Sequence, residues 1–69
     1  MRLSTRNQLA ATVESIALGE AMAAVKLTVD GGHSVTASIT REAADDLDLP
    51  PGSAVTVLVK ATEVTLGVD

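Results

Sequence analysis

The chain has 69 residues, 46% of them hydrophobic, and contains no Phe, Trp, Tyr or Cys. That length allows one domain near the lower limit for a self-sufficient core, and without rings or disulfides the core must be built from nine Val, eight Leu, two Ile, two Met and small Ala, which leaves association as the remaining source of stability. The net charge of −4 and pI near 4.6 argue against a nucleic-acid partner, while the absence of Cys beside a single His33 excludes a disulfide scaffold and a Cys-based zinc module.

Residues Asn7 to Leu18 open with Leu9, Ala11 and Val13 alternating against Gln8, Ala10, Thr12 and Glu14, the period of a half-buried strand. Ile16 and Leu18 then fall out of phase with Val13, so one inserted residue near Ser15 predicts a bulge. Gly19-Glu20 turns the chain into a second strand, Met22 to Asp30, with Val25, Leu27 and Val29 on one face and Lys26 and Thr28 on the other. Asp30-Gly31-Gly32 is a hairpin signal, because Gly takes positive φ without steric cost, and His33 to Thr40 continues as a third strand. Thr40 is placed to cap a short helix that carries Glu42 in its first turn and reaches Leu47. Leu49-Pro50-Pro51-Gly52 stops that helix. Val55, Val57 and Val59 predict a fourth strand, and after Ala61-Thr62-Glu63 the alternation of Val64, Leu66 and Val68 predicts a fifth. Five strands with one helix between the third and fourth are the order of an all-β, OB-like Greek-key barrel, a single domain over residues 1–69.

An enzyme is not expected from these residues. Asp45, Asp46 and Asp48 read as a solvated helix face rather than a metal site, and Gly31-Gly32 reads as a turn rather than a phosphate loop. No apolar run approaches the ~20 residues of a membrane span, and the residues from Met1 to Arg6 lack the apolar stretch of a signal peptide, so the expected location is the cytoplasm, with no membrane partner. The scarce cations carry more information. Ser4-Thr5-Arg6-Asn7-Gln8 presents hydroxyls, a guanidinium and amides in one run, and Lys60-Ala61-Thr62 adds an ammonium, backbone N–H groups and a hydroxyl. From the residues alone two readings stand: ordinary solvated cations, or the donor set of a small tetrahedral oxyanion.

The opening Ser4-Thr5-Arg6-Asn7-Gln8 resembles the Ser-x-Arg-Asn-Gln start of the molbindins, small molybdate-binding proteins whose domain also occurs in molybdate transporters and molybdate-responsive regulators. Gly31-Gly32, Ala37-Ser38-Ile39-Thr40, Leu47-Asp48-Leu49 before Pro51-Gly52, and Val59 to Val64 follow in the family's order over essentially the whole chain. The resemblance implies an OB-like barrel assembled as a homohexamer, a trimer of dimers, with molybdate, or tungstate as its mimic, bound at subunit interfaces for intracellular molybdenum storage and homeostasis. It assigns Ser4 and Arg6 as anion contacts, Lys60 as the second cation and Ala61 as a backbone N–H donor, with Thr5, Asn7 and Thr62 as possible further contacts and no metal held directly by side chains. Ala61 departs from the Ser of many relatives, keeping the N–H but not the hydroxyl. The alternative function is a stand-alone sensing module that regulates a molybdate transporter or a transcription factor by protein–protein contact.

Overall fold

A computed structural model describes all of Met1–Asp69. The chain forms strand β1 (Asn7–Leu18), strand β2 (Met22–Val29), strand β3 (Ser34–Thr40), helix α1 (Arg41–Leu47), strand β4 (Ala54–Val59) and a 3-10 turn, η1 (Ala61–Glu63). The strands make one antiparallel sheet in the order β3-β2-β1-β4, so β1 is central and β3 and β4 are the edges. The period-two pattern places Ala11, Val13, Val25 and Leu27 on the inner face as the buried cluster, flanked by Ile16, Val29, Ala37, Ile39, Leu49, Val55 and Val57. Residues of both edge strands line one apolar groove with Val25, Leu27, Leu47 and Leu49, which shows that the sheet curls towards a barrel.

The predicted bulge is present. Val13 pairs with Leu27 and Ser15 with Lys26, so Glu14 is the extra residue, and the shift brings Ile16 opposite Val25 on the inner face. At the β2–β3 hairpin the Gly32 N–H donates to the Val29 carbonyl (2.8 Å) and the Val29 N–H to the His33 carbonyl (2.7 Å). Gly31 and Gly32 have φ of 104° and 99°, and a Cβ on either would meet no atom within 4 Å, so backbone conformation rather than space demands glycine at this tip.

The Thr40 side chain accepts the Ala43 N–H at 3.1 Å, the N-cap expected from the sequence. Helix α1 packs on β2 and β3 and buries only Ala44. Its start is tied to the sheet by the Arg41 N–H on the Ala21 carbonyl (2.8 Å), and its guanidinium donates to the Gly19 carbonyl and to Asp45. Asp48 ends the helix in the left-handed region (φ 52°), ahead of the two prolines. Thr40→Ala removes the cap and is expected to lower stability by about 1 kcal/mol. Denaturant titration at fixed protomer concentration measures it, and an unchanged midpoint would mean that the cap is redundant with the Arg41 ties.

The fifth strand is the one element the structure does not form. Ala61–Glu63 is a 3-10 turn, Val64 leaves it in an extended conformation, and no strand follows. The sheet therefore has four strands and is an OB-like half-barrel instead of a closed five-stranded barrel. A strand exists through its hydrogen-bonded neighbour, and residues 64–69 have none within the chain, so their alternating pattern is not realised. Leu66 and Val68 are 96% and 98% exposed, whereas only six of 69 residues are buried. No helix is long and apolar enough to cross a membrane.

Candidate functional site

The last pair of the β1–β4 ladder is Asn7 with Val59. In an antiparallel ladder the next residues outward on the two chains are Arg6 and Lys60, so this register brings the two cations, more than fifty positions apart in sequence, to the same end of the sheet. Alternation places them on the face shared by Gln8 and Leu58 and opposite to the inner cluster.

Ser4, Thr5, Arg6, Leu58, Lys60, Ala61 and Thr62 line one open depression there, and no carboxylate lines it. The only ion pair of the chain is Arg41 with Asp45 (3.2 Å), which leaves the charges of Arg6 and Lys60 without a counterion. The N–H groups of Ala61 and Thr62 open the 3-10 turn, whose internal bonds begin with Glu63 N–H on the Lys60 carbonyl (2.9 Å) and Val64 N–H on the Ala61 carbonyl (3.3 Å). Neither N–H donates to an acceptor within the chain, as expected for the first residues of such a turn. The residues that line this one space thus carry two cations, three hydroxyls and two free N–H groups, a set rich in donors and free of competing anions.

The geometry gathers Ser4, Thr5, Arg6, Lys60, Ala61 and Thr62, but sets Asn7 apart. The Asn7 amide is half-buried and donates to the Val59 carbonyl at 3.0 Å, so it is engaged inside the fold. The sequence offers the N–H groups of this segment as donors, and the 3-10 turn after Lys60, which the sequence pattern does not announce, is what leaves the Thr62 N–H without an acceptor. All lining residues except half-buried Thr5 are exposed, so a single chain closes the depression on one side only.

A family profile described as the TOBE domain matches residues 3–66. The chain belongs to the TOBE-domain family. Among its TOBE relatives, a probable molybdenum-pterin-binding protein of Haemophilus influenzae is 35% identical over 69 residues, with both chains covered in full. The molybdenum-pterin-binding protein MopA of Rhodobacter capsulatus is 46% identical over 66 residues, which are 96% of this chain and a quarter of MopA. Solved structures carry the same fold: a molybdate-binding protein from Sporomusa ovata superposes with a TM-score of 0.90 at 45% identity, covering 96% of this chain and 97% of that one. The cytoplasmic molybdate-binding protein ModG, in a form with molybdate bound, superposes with a TM-score of 0.94 at 42% identity, covering all of this TOBE domain and 49% of ModG. These neighbours place the chain in the molbindin branch that its opening residues resemble.

Proposed function

We propose that this TOBE domain binds molybdate, with tungstate as a chemical mimic, at the seams of a homo-oligomer and serves cytoplasmic molybdenum storage and homeostasis through a single binding domain over residues 1–69. The observation that carries this reading is the meeting of Arg6 and Lys60, without a counterion, in a depression whose other polar groups are hydroxyls and free N–H donors. Two like charges brought to one end of the sheet repel each other, and a dianion between them reverses the sign of that interaction. The molybdate bound by ModG supports the ligand class, and ModG's cytoplasmic description supports the compartment. The role proposed is binding, with no reaction assigned.

The assembly reading rests on surfaces that a single chain leaves open. The apolar groove between β3 and β4 and the exposed Val64, Leu66 and Val68 are complementary in character, and a fifth strand from a neighbouring copy would pair with a free edge and cover the groove. The proposed assembly is a homohexamer, a trimer of dimers, the number being the one the molbindin resemblance implies. Since η1 is three residues long, the segment that docks starts directly after the depression, and anion seats fall where copies meet. Native mass spectrometry with and without molybdate tests both parts together. Six copies that retain several molybdate ions, with a raised thermal midpoint when molybdate is present, are the expected result. A folded monomer at micromolar concentration would remove the assembly reading, and absence of binding at millimolar molybdate would remove the ligand.

A further inference from the structure

Asn7 and Gln8 are consecutive amides that each reach a backbone carbonyl. The Gln8 side chain donates to the Thr5 carbonyl at 2.8 Å, and the Asn7 side chain donates to the Val59 carbonyl at 3.0 Å. The Thr5 carbonyl belongs to the peptide unit that leads into Arg6, and the Val59 carbonyl to the one that leads into Lys60. Each amide therefore fixes the plane of the peptide immediately before one of the two cations. Alternation turns the two side chains to opposite faces, Asn7 inward and Gln8 outward, so one pair of neighbouring residues holds both arms of the depression from both sides of the sheet.

The need for such a brace follows from where the cations lie. Arg6 precedes β1 and Lys60 follows β4, so neither is held by the ladder beyond the Asn7–Val59 pair. Segments outside the ladder fray, and two mutually repelling cations pull in the same direction. A binding seat held ready in advance loses less on taking its ligand than one that must be ordered first. We propose that Asn7 and Gln8 are positioning residues that pre-set Lys60 and Arg6, respectively, for one shared oxyanion. The inference rests on the anion-site reading above and adds a division of labour to it: Gln8 acts through Arg6, and Asn7 acts through Lys60.

Titration calorimetry with molybdate on the assembled protein tests it. Gln8→Met and Asn7→Leu keep the size of the side chain and remove the donor, and Gln8 is exposed, so its replacement leaves the fold intact. Each is expected to weaken molybdate binding roughly three- to tenfold. The decisive readout is the pairing: Gln8→Met loses its effect when Arg6 is already Ala and keeps it when Lys60 is Ala, and Asn7→Leu shows the reverse. The thermal midpoint of Gln8→Met without molybdate stays at the parental value. Equal factors in every background, or no change in affinity from either amide variant, overturn the positioning role while the anion site stands. If the parent does not bind molybdate, or Arg6→Ala and Lys60→Ala bind it as the parent does, the site reading itself fails and the positioning role with it.

Discussion

Leu66→Asp is expected to disperse the proposed assembly into single chains. Leu66 is 96% exposed in the isolated chain, so the substitution removes no contact from the half-barrel itself. Its effect falls on the docked state. Failing to bury a leucine forgoes about 1.5–3 kcal/mol, and an unpaired carboxylate forced into an apolar groove adds several kcal/mol for each copy. Those terms together raise the dissociation constant of a pair by more than roughly a hundredfold. Sedimentation equilibrium reads the result directly, and circular dichroism at matched concentration reports whether the half-barrel survives. With six buried residues and no aromatic ring, the separated chain is expected to lose most of its thermal stability as well. A variant that sediments like the parent shows that residues 64–68 are not the docking segment.

Arg6→Ala and Lys60→Ala carry the largest expected effects on the ligand. Each removes one charge-assisted hydrogen bond from a partly desolvated dianion, about 1.5–3 kcal/mol, which is roughly a ten- to hundredfold loss of affinity. Ser4→Ala has the same sign and a smaller size, since a neutral hydroxyl donates a weaker bond. Lys26→Ala is the control, because Lys26 lies on β2 opposite Ser15, away from the depression. Ala61→Ser adds a donor to the lining and is expected to hold or improve affinity. Titration calorimetry on variants shown to assemble like the parent decides the matter. Equal affinities for Arg6→Ala, Lys60→Ala and Lys26→Ala return both cations to the ordinary surface.

Features encoded within a few residues could be read from the sequence, and those defined by a distant neighbour could not. The phase slip between Val13 and Ile16 announces the bulge and the hydroxyl of Thr40 announces the cap, and in both cases the signal lies within four residues, although the bulge itself is completed by Lys26 and Leu27 of the adjoining hairpin strand. Val64, Leu66 and Val68 alternate as clearly as Val55, Val57 and Val59, yet only the second set has a strand beside it in the same chain. The pattern reports the capacity to pair and is silent on the partner. The same limit explains Asn7. Its position inside Ser4-Thr5-Arg6-Asn7-Gln8 announces a polar side chain near the cations, but not that its amide N–H meets a carbonyl 52 residues away, which only the β1–β4 register brings into reach.

The β2–β3 hairpin tip has a practical consequence. A chain without Trp, Tyr or Phe is almost transparent in the near ultraviolet and emits no intrinsic fluorescence, so neither its concentration nor its ligand binding announces itself optically. His33 sits at the tip, exposed, next to two glycines whose surroundings are open. A single tryptophan at that position, with Gly31 and Gly32 kept for their positive φ, installs a chromophore without entering the inner cluster, the apolar groove or the depression around Arg6 and Lys60. The tip is thus the natural mounting point for a reporter on a protein that otherwise has none.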